Sequence, residues 1–122
     1  INNLCDLTTE NFGPILHIIP FTHDELDQSL NQVNQSGFGL TLGIHSRNQR
    51  WVNYIANNAV VGNIYINRDM IGAKVGAQPF GGHGLSGTGP KSGGPAYVHE
   101  FVKEFTLTTN LTAFGGNQDL LS

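Results

Sequence analysis

The chain has 122 residues, with six Lys or Arg against nine Asp or Glu and a formal net charge of −3. That length suits one domain and is too short for an enzyme with separate cofactor and substrate lobes, while the acidic balance offers no basic stripe for phosphates and excludes nucleic acid as a partner of this segment. Charged residues are 12% of the chain, hydrophobic ones 39%, and 16 residues are glycine, a composition suited to a piece packed against more protein rather than to disorder.

Residues 15–21 form a short run rich in β-branched and aromatic side chains, preceded by Gly13-Pro14. They read as a buried strand. Thr22-His23-Asp24-Glu25 fits a capping box, in which hydroxyl and carboxylate satisfy orphan amides of a first turn. A helix is expected over residues 22–36, with Leu26, Leu30 and Val33 on its apolar face and Gly37 as its stop. Residues 40–45 read as a second strand. Ser46 caps a second helix that turns Trp51, Val52, Ile55 and Ala56 to the core and ends at Asn57-Asn58. Residues 60–66 read as a third strand. The alternation predicts an α/β fold, βαβαβ with a mostly parallel sheet buried on both faces.

Residues 67–94 change character, with glycine and proline crowding in and only residues 74–77 read as extended. A loop this long inside a compact domain is usually functional. Pro95 suits a first helical position, and Val98, Phe101, Val102 and Phe105 form an apolar stripe through about Glu104. Residues 106–111 read as a last strand, and residues 112–122 as a tail ordered by docking.

The single cysteine, Cys5, forms no internal disulfide, and no secretory leader is expected, so a cytoplasmic location is the expectation. No apolar run approaches the roughly 20 residues that span a bilayer. Asn34 and Asn110 begin glycosylation-like tripeptides, against which the expected compartment argues. The five histidines, at 17, 23, 45, 83 and 99, have no metal-ligand spacing, and no metal site is expected. Cys5 has no neighbouring histidine in sequence to activate it as a nucleophile. Residues 82–87 satisfy G-x-G-x-x-G literally, but no helix follows directly and prolines intervene, so the glycines are assigned to turns and close backbone approach.

Three further segments occur in order: Glu10-Asn11-Phe12-Gly13-Pro14, Gln78-Pro79-Phe80-Gly81-Gly82, and Ser86-Gly87-Thr88-Gly89. With the βαβαβ pattern between them, they resemble the aldehyde dehydrogenase family. Residues 37–47, 87–95 and 112–122 are similar to its proline-utilisation branch, so the resemblance covers almost the whole chain. It implies the C-terminal part of a catalytic domain (1–111, with an oligomerisation-type terminal strand) followed by a tail (112–122). The implied reaction is oxidation of L-glutamate γ-semialdehyde, the hydrolysed form of Δ1-pyrroline-5-carboxylate, to glutamate with NAD. The implied parent also carries an FAD-dependent proline dehydrogenase, and its partners are the remainder of the polypeptide and further copies in a homo-oligomer.

By the same resemblance Glu10 holds the nicotinamide ribose hydroxyls and Phe12 lies near the nicotinamide. Gly72 and Ala73 anchor the substrate carboxylate through backbone amides, and Phe80 walls the substrate's aliphatic part. Without that context Glu10 is a solvated loop carboxylate and Phe80 a core aromatic. The family's catalytic cysteine lies well upstream of the Glu10 segment, and Cys5 is too close to Glu10 to be that residue. No catalytic residue is therefore assigned, and the chain alone is expected to be inactive. The alternative is a non-catalytic aldehyde-dehydrogenase-like scaffold or oligomerisation module.

Overall fold

The computed structural model describes residues 1–114; the tail expected over residues 112–122 therefore lies mostly outside the described residues. After a 3-10 turn at Leu4–Asp6, the order is a second 3-10 turn at His23–Glu25, helix α1 (Leu26–Gln35), strands β1 (Phe38–Gly39) and β2 (Thr41–Ile44), helix α2 (Gln49–Asn58), and strands β3 (Asn63–Ile66) and β4 (His83–Gly84). Two more 3-10 segments follow, at Pro95–Phe101 and Leu111–Phe114.

The expected capping box starts the first helical segment. The N–H and hydroxyl of Thr22 both donate to the Glu25 carboxylate, at 2.7 and 2.8 Å, and the Glu25 N–H donates to the Thr22 carbonyl at 3.1 Å. The first turn is 3-10, and α-helical geometry begins only at Leu26. At α2 the cap falls on Asn48 rather than Ser46: Asn48 Oδ1 accepts from Arg50 N–H at 3.0 Å, while Ser46 Oγ accepts from Asn48 N–H at 3.1 Å.

Strands β2 and β3 pair in parallel, with Thr41 opposite Asn63 and Ile44 opposite Ile66. Parallel neighbours need a crossover, and α2 supplies it. The buried apolar residues come one from each element: Leu30 of α1, Ile44 of β2, Val52 of α2 and Tyr65 of β3. Both helices lie side by side and run the same way, because contacts between them advance together. The His23 ring lies 4.8 Å from that of Trp51 at a tilt of 55°, Tyr54 lies beside Asp27, and Asn34 reaches Asn58 and Val60. The Asp27 carboxylate holds the Tyr54 phenol above its usual range. Asn34, which begins one of the glycosylation-like tripeptides, donates to the Asn58 carbonyl at 2.9 Å and accepts from Val60 N–H at 2.8 Å.

Several expected elements differ. Residues 15–21 form no strand; Ile15, Leu16, Ile18 and Phe21 are exposed, because no strand among the described residues runs beside them to complete a ladder. The sheet is thus not βαβαβ but one β–α–β unit plus a short antiparallel pair, in which Phe38 faces Gly84 and Gly39 faces His83. The parallel pair is half-buried rather than covered on both faces, with Ile66 exposed. Residues 74–77 are a turn closed by a Lys74–Gln78 bridge, not an extended run. The helix expected through Glu104 is a 3-10 segment ending at Phe101, and Val98, Phe101 and Phe105 face solvent. Residues 106–110 join no ladder among the described residues.

Glu25 makes the first helical turn pH-sensitive. Its carboxyl is held below the usual range, first by the Thr22 backbone N–H and second by the Thr22 hydroxyl. A lowered acid stabilises the fold above its unfolded-state pKa, and that stabilisation is lost as pH falls through the folded-state value. Thr22→Val, which removes only the hydroxyl, should move the Glu25 pKa part of the way back up, as read by carbon-13 NMR titration of its carboxyl; a value unmoved by the substitution would contradict the hydroxyl's share.

Candidate functional site

The carboxyl ends of β2 and β3 are joined before the long loop begins. Asn67, at φ 52°, is the only non-glycine residue at positive φ among the described residues. Asparagine tolerates this region better than most residues because its short side chain bonds locally. Its carboxamide accepts from Ser46 N–H at 2.9 Å and donates to the Ser46 carbonyl at 3.1 Å, while its own N–H donates to the Ile44 carbonyl at 2.8 Å.

Residues 68–73 leave from that junction. The Arg68 guanidinium donates to the Ile71 carbonyl at 2.9 Å, pairs with the Asp69 carboxylate at 3.1 Å, and lies 5.0 Å over the Tyr65 ring. The Tyr65 hydroxyl donates to the Gly72 carbonyl at 3.3 Å. Gly72 has φ +106°, a conformation that favours glycine. With its carbonyl held inward, the N–H groups of Gly72 and Ala73 meet no acceptor among the described residues, and both residues are exposed. Two adjacent unengaged amides are donors that an anion can accept from.

The second half of the loop folds back on β1 and β3. Phe80 is half-buried, and its N–H and carbonyl pair with Ser92 at 3.0 and 2.9 Å. The backbone of Gly81 passes so close to Gly62 that a Cβ there would sit 1.8 Å from the Gly81 carbonyl oxygen. The Lys91 ammonium donates to the Gly62 carbonyl. Gly39 N–H donates to Ser86 Oγ at 3.1 Å, and Leu85 N–H to the Gly37 carbonyl at 2.9 Å. Gly82 faces the Gly39 carbonyl oxygen, which would lie 2.7 Å from an added Cβ. The G-x-G-x-x-G match thus serves backbone packing.

Glu10 and Phe12 line an open cavity of about 810 Å³, together with residues of α1, β1 and β2 and with Leu85 and Ser86. Glu10 is exposed and enters neither ion pair among the described residues, and Phe12 is 92% exposed. Cys5 lines the same cavity, which has no histidine in its walls. Gly72, Ala73 and Phe80 do not line it. The structure therefore gathers Glu10 with Phe12, and Gly72 with Ala73, as separate features. Sequence reading missed Asn63, Tyr65, Asn67 and Arg68; only the asparagine directly after a β-branched strand hinted at a strand-end turn. Among the described residues no group of three or more His, Cys, Asp or Glu could hold a metal ion, and no helix is long and apolar enough to cross a membrane.

Residues 6–106 match the Aldehyde dehydrogenase family, and the chain belongs to that family; its fold is a partial α/β aldehyde dehydrogenase domain. It is 48% identical over 115 residues to the "Bifunctional protein PutA" of Salmonella typhimurium, covering 92% of this chain and 9% of that protein. It is 38% identical over 100 residues to the 1-pyrroline-5-carboxylate dehydrogenase of Oceanobacillus iheyensis, covering 81% of this chain and 19% of that protein. A crystal structure of a Bradyrhizobium japonicum Proline Utilization A variant superposes with a TM-score of 0.79 at 52% identity, covering 89% of this chain and 11% of that one. The chain thus spans about a tenth of the length of its PutA relatives.

The Tyr65 hydroxyl is the tie that turns the Gly72 carbonyl inward. A net hydrogen bond of about 1 kcal/mol corresponds to about a fivefold change in a local opening equilibrium. Tyr65→Phe should speed amide exchange in residues 70–76 by about that factor and leave β2 unchanged, as read by hydrogen-exchange mass spectrometry.

Proposed function

We propose that this chain is part of an NAD-dependent L-glutamate γ-semialdehyde dehydrogenase, contributing the aldehyde anchor and one contact to the cofactor. The observation that carries this reading is the 48% identity to a PutA protein along 92% of the chain, reinforced by similarity to a 1-pyrroline-5-carboxylate dehydrogenase along 81%. Both names belong to proline catabolism. The parent is bifunctional, as the PutA relatives are named, with an FAD-dependent proline dehydrogenase elsewhere in the polypeptide. It is a cytoplasmic homo-oligomer.

The residues fit these roles. A free, exposed carboxylate at Glu10 can accept two hydrogen bonds from ribose hydroxyls. Phe12, nearly fully exposed on the same cavity, offers a flat apolar surface to a nicotinamide ring. NAD held there would supply the hydride acceptor for the oxidation. Gly72 and Ala73 receive the substrate's carboxylate on their unengaged amides, and Phe80 walls its methylene chain. The nucleophile comes from the remainder of the polypeptide, since Cys5 is exposed and no histidine lines its cavity to form a Cys–His pair. The exposed apolar residues Leu16, Ile18, Phe101, Phe105 and Leu107 support packing against that remainder. Within it, residues 1–111 complete the catalytic domain, residues 106–111 pair as a strand with a partner subunit, and residues 112–122 form the tail.

The full-length protein should form NADH from glutamate semialdehyde, and the 122-residue chain alone should form none; absence of NADH formation by the full-length protein would sink the reading. In that protein Gly72→Val should raise KM for the semialdehyde by about tenfold or more while leaving the NAD requirement nearly unchanged. Equal losses toward both would remove the anchor assignment. Glu10→Ala should raise the NAD requirement or slow hydride transfer, and unchanged steady-state kinetics would return Glu10 to bystander surface.

A further inference from the structure

Asn63, 8% exposed, is the buried polar residue among the described residues, alongside the buried apolar Leu30, Ile44, Val52 and Tyr65. A carboxamide in such a place is tolerated only when its donors and acceptor are met. Both of its ends meet the backbone of one tripeptide. The Asn63 Nδ2 group donates to the Pro79 carbonyl at 3.0 Å, and Oδ1 accepts from Gly81 N–H at 3.4 Å. The reverse orientation would set oxygen against oxygen and N–H against N–H, so the pairing itself fixes the amide. Asn63 is in turn fixed by the parallel ladder opposite Thr41 and by its N–H, which donates to the Leu40 carbonyl at 3.0 Å.

The residue between Pro79 and Gly81 is Phe80. Its own N–H and carbonyl are taken by Ser92, and the peptide groups on either side of it are taken by Asn63. Its backbone is therefore gripped from two sides, one of them a rigid strand. The close approach of Gly62 to Gly81 leaves no slack beneath it.

We infer that Asn63 is a positioning residue for Phe80, setting the depth at which the ring meets the aldehyde's carbon chain and so the enzyme's choice among aldehydes of different length. The inference rests on the proposed role of Phe80 as substrate wall. Leucine at 63 would keep the volume and lose both bonds. Aspartate would keep the acceptor toward Gly81 and turn a carboxylate oxygen on the Pro79 carbonyl.

The test uses the full-length enzyme. Asn63→Leu, or Asn63→Asp if the first does not fold, should raise KM for glutamate semialdehyde by about tenfold, with kcat and KM for NAD within about twofold of the unaltered enzyme. Preference should shift toward aldehydes one methylene longer or shorter. In a Phe80→Ala background the same substitution should add nothing further. Equal losses in all parameters, or the full increment in the Phe80→Ala background, would overturn the inference. A second readout is independent of catalysis: amide exchange in residues 78–84 should quicken in Asn63→Leu while residues 41–44 hold, and unchanged exchange would also overturn it. A parent that forms no NADH from the semialdehyde would instead overturn the substrate role of Phe80, leaving exchange to decide the positioning.

Discussion

A chain that leaves a helix or a strand, or passes beside one as a loop, has backbone donors and acceptors without ladder partners, and this fold meets that constraint three times with the same chemical group. A carboxamide can donate and accept at once, as a peptide group does. Asn34 bonds the Asn58 carbonyl and the Val60 N–H, Asn63 the Pro79 carbonyl and the Gly81 N–H, and Asn67 both polar groups of Ser46. Each bridges two segments distant in sequence, and together they hold α1 to the start of β3, β3 to the returning loop, and the ends of the two parallel strands to each other.

The same devices account for the chain's low charge. Among the described residues one Arg–Asp ion pair, Arg68–Asp69, and one His–Asp contact, His23–Asp24, occur, both between sequence neighbours and both exposed; pairs of that kind contribute little. Cohesion between elements comes instead from the small apolar core, from neutral hydrogen bonds, and from backbone surfaces brought together where glycine leaves out a side chain.

Local chemistry was legible in the sequence wherever the partners are near neighbours. The Thr22–Glu25 box, the apolar faces of α1 and α2, and the cores of β2 and β3 follow from spacing alone. Residues 15–21 and 106–110 carry strand-like side chains without strand geometry, because a strand is completed by a neighbour and spacing says nothing about whether one is present. The β1–β4 pair escaped notice for the opposite reason, being two glycine-containing dipeptides with no alternation to detect. Within the candidate site, motif resemblance singled out Glu10, Phe12, Gly72, Ala73 and Phe80, whereas Asn63 and Tyr65 emerge only from contacts spanning 16 and seven residues. Neither position has a local pattern that distinguishes it from an ordinary strand residue.

Reliance on asparagine at these junctions ties the lifetime of the fold to covalent chemistry. Hydrolysis of a carboxamide to a carboxylate changes one atom, yet it deletes the donor, keeps the acceptor and adds a charge where a backbone carbonyl waits. Asparagine is among the thermolabile residues that heat-adapted proteins use sparingly. Burial and dual hydrogen bonding restrain Asn63, while Asn34 and Asn67 sit in more exposed hydrogen bonds. Among these three ties, the helix tie and the strand-end bridge are therefore the more accessible to hydrolysis, and the one beneath Phe80 the most protected.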